Sequence, residues 1–138
     1  MKLTTTIIDL AAFNVTVLFK SPQMITVGIE SVWGENFICS CIYASNFRND
    51  RVTLWEEIRH IHTLYGHTNL PWIVLGDFNV ILSSDEHSRV QYGLGNQAGM
   101  REFQELVADC ELTDLGYTGP KLTWWNHQDD GPIGKCHY

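Results

Sequence analysis

The sequence predicts an α/β layered domain with sheets inside and helices outside. Three observations predict it: strand-length runs rich in β-branched residues fill the first third, the apolar period then changes twice to helical spacing, and a short apolar run interrupts the two helical stretches. The expected order is β-β-β-α-β-α-β-β.

Residues 13–19 and 24–30 are rich in Val, Ile, Phe and Thr and are separated by Ser21-Pro22-Gln23, so they read as two strands joined by a turn. Residues 37–43 are apolar at both parities, as expected of a central strand covered on both faces. Beyond Asn46, residues Leu54, Ile58, Ile61 and Tyr65 recur at helical spacing, with Asn49 or Asp50 available as the N-cap and Gly66 as the end. A helix of about four turns is expected there.

Residues 71–76 then form a short buried strand that stops at Gly76, leaving Asp77 and Asn79 at its C-terminal end. The polar stretch 83–97, with Gly93, Gly95 and Asn96, reads as a surface loop before a second helix with Met100, Phe103, Val107 and Cys110 on its buried stripe. Residues 112–115 and 122–125 read as short strands around a turn at Gly116–Pro120. No repeat, low-complexity tract or linker interrupts the chain.

The 138 residues suit one domain or part of one, and 44% hydrophobic with 12% aromatic residues is too apolar for a disordered tail. A net charge of -7 argues against a general nucleic-acid coat protein, whose affinity comes from Lys and Arg displacing counterions. An enzyme that gathers cations among carboxylates is still compatible with that balance. No apolar run reaches the length of about 20 residues that a membrane helix needs, and the N-terminus lacks the form of a signal peptide, so the chain reads as soluble and intracellular.

Cys39, Cys41, Cys110 and Cys136 include no C-x-x-C pair; Cys39 and Cys41 are expected to point the same way from a strand as small core residues. The six histidines form neither H-x-x-x-H nor H-E-x-x-H and read as solvated or capping residues. Trp55, Trp72 and Trp124 read as core, with Trp125 alternating outward.

Gly76-Asp77-Phe78-Asn79 carries the clearest chemistry. A buried strand delivers a carboxylate and a carboxamide, two residues apart and on one side, to the rim of a sheet. A carboxylate there can orient or deprotonate an attacking water, and an amide can donate to an oxygen gaining charge, which suits phosphoryl transfer. Taken alone, the pattern reads more readily as a strand-ending turn, because Asp and Asn favour turns, and its neighbours along the chain are what favour the chemistry. Tyr43 ends the preceding strand and can bring a phenolic hydroxyl to the same rim; its plain alternative is packing. Thr123 and Asn126 offer further polar contacts from a nearby loop, or serve only as strand and turn residues.

Several blocks, in this order and spacing, resemble the endonuclease/exonuclease/phosphatase superfamily, the DNase I-like fold, and most closely the endonuclease domain of plant LINE-type retrotransposons. They are Ile42-Tyr43-Ala44-Ser45-Asn46, Arg51 with Leu54-Trp55, Trp72 to Asn79, Phe103 and Leu106, residues 112–120, and Leu122 to Asn126. The resemblance implies a two-layer β-sandwich flanked by helices, a four-layer α/β/β/α arrangement, that hydrolyses DNA phosphodiesters with Mg²⁺. Residues 1–138 would form its central portion, incomplete at both ends. It also implies that Asp77 aligns the nucleophilic water, Asn79 helps hold the transition state, Tyr43 contacts the scissile phosphate, and Thr123 contacts DNA; Asn126, in the same block, is a candidate substrate contact beside it. In a longer element a reverse transcriptase domain would accompany it, in the nucleus.

The chain departs from that pattern at two points. The family's metal-holding Asn and Glu lie on early strands, and nothing between Met1 and Phe13 supplies them. At the other end the segment to Tyr138 stops before the Asp that pairs with a catalytic His, so neither His127 nor His137 takes that role. Weak or absent activity in this chain alone is therefore expected. The alternatives are an inactive retroelement remnant and a non-catalytic binding module on the same fold.

Overall fold

The computed structural model describes residues 12–83, 94–116, 124–125 and 135–136. Four strands make one mixed sheet in the order β1-β2-β3-β4: β1 Phe13–Lys20, β2 Met24–Ser31, β3 Asn36–Tyr43 and β4 Trp72–Asp77. The first three are antiparallel neighbours, and β4 runs parallel to β3. The parallel pair requires a crossover, and α1, Arg48–Tyr65, supplies it. A second helix, α2, spans Leu94–Asp109, and the two-residue strands β5 Trp124–Trp125 and β6 Lys135–Cys136 pair with each other.

The expected element order is observed, with four differences of detail. α1 is longer than four turns and begins at Arg48 with Phe47 as its N-cap, without a side-chain cap; Asp50 lies in the first turn instead. α2 starts at Leu94, inside the stretch expected to be loop. Residues 112–115 form no strand: α2 closes through the left-handed Glu111 (φ 52°) and a Leu112 N–H donated to the Val107 carbonyl, so the apolar Leu112 folds back onto the helix-side core while Leu115 is 91% exposed. The fifth strand is thus the 124–125 segment, and its partner lies at 135–136.

Directly opposed residues share a face, so the register assigns each side of the sheet. Met24, Thr26, Ile38, Ser40, Ile42, Trp72 and Val74 face the helices. Met24 and Ile42 enclose a core with Leu54, Trp55, Ile58 and Ile61 of α1 and with Phe103, Leu106 and Cys110 around α2. Thr26 and Ser40 are buried on this side, but their hydroxyls bond each other at 2.8 Å and the Trp72 indole N–H donates to Ser40 Oγ at 3.0 Å, so neither hydroxyl is stranded; the buried Trp55 indole N–H in the same core has no partner among the described residues. Ion pairs Arg48–Glu102 and Arg59–Asp109 tie α1 to α2 at the surface.

The other face carries Val15, Val17, Val27, Cys39, Cys41, Tyr43, Ile73, Leu75 and Asp77. Among the described residues no helix covers it, and Val15, Val17, Ile73 and Leu75 are exposed. Cys39 and Cys41 do point the same way, but only Cys39 is buried; Cys41 is exposed. Both faces of β3 are apolar in sequence, yet only one is packed against helices.

Candidate active site at the β3–β4 rim

β3 and β4 end together. Tyr43 and Asp77 are register partners across the parallel ladder, on the face away from the helices. Gly76 makes that close approach possible. It holds a φ of 136°, and a Cβ at this position would lie 2.0 Å from the Ile42 carbonyl oxygen. Only glycine combines that backbone angle with that contact, so the Gly that precedes Asp77 has a structural cause.

The residues after Asp77 are locked from both sides. Phe78 turns to the helix face, 4.8 Å from the Phe103 ring and 6.5 Å from the Trp55 ring. Asn79 leaves the strand in the left-handed region at φ 49°, where Asn is among the better tolerated residues. Its backbone N–H donates to Asp77 Oδ1 at 2.9 Å, and its side-chain Nδ2 donates to the Ala44 carbonyl at 2.6 Å. The Ala44 N–H in turn donates to the Asp77 carbonyl at 2.8 Å. Asp77 and Asn79 therefore meet at the rim, although the carboxamide reaches it through a turn rather than by strand alternation.

Three residues that the sequence reading gave no part in the site fix Tyr43 and its loop. The Gln23 carbonyl accepts the Tyr43 N–H, Gln23 Oε1 accepts the Ser45 N–H at 2.7 Å, and Gln23 Nε2 donates to the Asp50 carbonyl. Ser45 Oγ donates to Asp50 Oδ2 and accepts the Phe47 N–H. Arg51, 7% exposed, donates from one guanidinium nitrogen to the Ser45 and Asn46 carbonyls at 2.9 and 3.0 Å. Burial pulls its pKa down, with Glu102 opposing and Arg48 adding to that shift. A signal for Arg51 existed: it occupies the phase of the apolar stripe on α1, three residues before Leu54, where a buried cation needs carbonyl partners. Gln23 carried no comparable signal.

Of the five residues singled out in sequence, Tyr43, Asp77 and Asn79 come together, and Thr123 and Asn126 lie outside the described residues. Tyr43 is 74% exposed, so its ring is available to a ligand rather than packed. One carboxylate oxygen of Asp77 is held by Asn79, which aims the group without neutralising it.

A polar rim at the C-terminal ends of two parallel strands, in an α/β domain of four mixed strands and two helices, is consistent with the DNase I-like fold. The chain belongs to the Endonuclease/Exonuclease/phosphatase family, whose profile matches residues 4–136. No curated protein gives a match. Membership assigns the chain to phosphodiester or phosphate-ester hydrolysis, in a family that generally works with a metal ion. Mg²⁺ requires a near-octahedral oxygen shell, commonly with one or two carboxylates. At this rim the described residues supply one carboxylate, and among them no three His, Cys, Asp or Glu side chains gather to hold a metal. They do not by themselves make up a magnesium site. Among the described residues no helix is long and apolar enough to cross a membrane.

Proposed function

We propose that the chain is part of a retrotransposon-type endonuclease domain that hydrolyses DNA phosphodiester bonds at the β3–β4 rim with Mg²⁺, and that it does so only weakly alone, because the described residues do not complete a magnesium site. The observation that carries this reading is the pairing of Tyr43 with Asp77, with Asn79 hydrogen-bonded to that carboxylate. Asp77 keeps an oxygen to orient or deprotonate the attacking water. Tyr43 donates its hydroxyl to a non-bridging phosphate oxygen, and Asn79 retains a second amide N–H for the charge that develops there. These are contacts to the phosphate backbone, which fix position without reading sequence.

The blocks running from Leu112 to Asn126 favour the LINE branch over the family's phosphatases. With it come a nuclear site of action and a reverse transcriptase domain in a longer element. Because the chain carries a net charge of -7, its DNA contacts should be few and strongest at low salt.

Nicking of supercoiled plasmid by the purified chain in Mg²⁺ tests this, beside EDTA and Asp77→Ala controls. Nicking lost in both controls supports it. A folded sample that leaves the plasmid intact overturns it in favour of an inactive remnant or a binding module.

A further inference from the structure

Cys39 and Cys41 take no part in the rim, yet their Sγ atoms lie 3.9 Å apart on the open face of β3. Two sulfurs bound to a single tetrahedral ion at about 2.3 Å each stand about 3.8 Å apart, so the pair already has the bite of a chelate. A disulfide fits less well. Residues i and i+2 of a strand are separated by about 6.4–6.8 Å, the upper limit for bridged Cα atoms, and closure would pull the strand out of register with β2 and β4. The geometry points to Cys39 and Cys41 as a bidentate thiolate site for a soft, thiophilic d¹⁰ cation, separate from the phosphate-ester chemistry of the rim.

Access and selectivity follow from the surroundings. Cys41 is exposed and Cys39 buried, so an ion enters from the Cys41 side and leaves its remaining coordination positions toward solvent. The flanking residues on this face are Val27 and Ile25 of β2 and Ile73 and Leu75 of β4, which offer no oxygen to a hard cation. Soft cations bind a pair of sulfurs far better than Mg²⁺ or Ca²⁺ do. Cys41 is also the neighbour of Tyr43 on the same face, about 6.6 Å along the strand, so an occupied site borders the rim.

Titration of the reduced, chelator-free chain with Cd²⁺, followed by the ultraviolet thiolate-to-cadmium charge-transfer band, tests the assignment. The expected result is one ion per chain, at least tenfold weaker binding in Cys39→Ser and in Cys41→Ser, and unchanged binding in Cys110→Ser and Cys136→Ser and in excess Mg²⁺. A second measurement avoids any variant: one equivalent of Cd²⁺ should protect Cys41 of the unaltered chain from alkylation by iodoacetamide at least tenfold. A band that survives Cys41→Ser, a band that depends on Cys110 or Cys136, or unprotected alkylation of Cys41 overturns it.

Discussion

Tyr43 and Asp77 are the last register partners of the β3–β4 ladder, side by side on the face turned away from the helices. A parallel ladder ends both strands at the same level, so a phenol and a carboxylate distant in sequence are presented together without a loop having to place either. Removing each should separate their parts in the reaction. Asp77→Ala should reduce nicking by roughly 10²–10⁴-fold, the usual contribution of a positioned acid or base. Tyr43→Phe, which keeps the ring and removes one hydrogen bond to a charged oxygen, should cost about 10- to 100-fold. Initial nicking rates of both variants against the unaltered chain check this; equal losses would contradict the division of labour.

Gly76→Ala should destabilise the fold by about 1–3 kcal/mol, the usual scale for forcing an extra carbon into a packed site. The new Cβ would press on the Ile42 carbonyl, and the φ of 136° is poorly available to alanine. A lowered urea midpoint at unchanged slope would show it. A midpoint within error of the unaltered chain would mean that β3 and β4 can part at Gly76 at little cost.

Asn79 serves the rim through two separable properties, its left-handed backbone and its side-chain bond to Ala44. Asn79→Gly keeps the first and loses the second, while Asn79→Ala loses both. The alanine variant should be the less stable, and the glycine variant should lose about 0.5–1.5 kcal/mol, the net value of one hydrogen bond. Denaturation of the pair measures the difference directly. The reverse order would show that the side-chain bond contributes nothing.

Arg51→Met tests the brace behind Tyr43. It removes the donor to the Ser45 and Asn46 carbonyls while filling much of the same space, and each acceptor left dry costs about 1–3 kcal/mol. Stability should fall, and nicking should fall further than the unfolded fraction explains, because the Tyr43–Ser45 loop loosens. Activity corrected for folded fraction is the readout.

Stability should decline between about pH 9 and pH 11. Burial holds the Cys110 thiol up at about 11, and burial with Cys41 does the same for Cys39, while both would ionise near 9.0 in the unfolded chain. Raised native pKa values mean that the folded state keeps protons which the unfolded state releases over that window, so the stabilisation is complete below pH 9 and fades as pH rises. Urea midpoints measured from pH 8 to 11 should drop, and Cys110→Ala should flatten the slope.

Strands β1 to β4, both helices and the tetrapeptide from Gly76 to Asn79 were legible in sequence because each rests on local periodicity or on a residue with one structural use, whereas the strand at 135–136 was not foreseen. Tyr43, which simply ends its strand, was legible too. Arg51 was visible as part of a familiar block, but its grip on the Ser45 and Asn46 carbonyls was not, since hydrogen-bond partners are set by how α1 settles beside the loop. The same holds for Gln23, which meets Tyr43 and Ser45 only because the turn after β1 folds against the end of β3. Residues 112–115 had strand composition but pair with no strand among the described residues, and the closing turn of α2 claimed them instead. The two faces of β3 were equally apolar in sequence. Only the tertiary structure decided that the helices cover the side of Ile38 and Ile42 while Cys41 and Tyr43 stay open, because periodicity marks which residues share a face and packing alone chooses which face is covered.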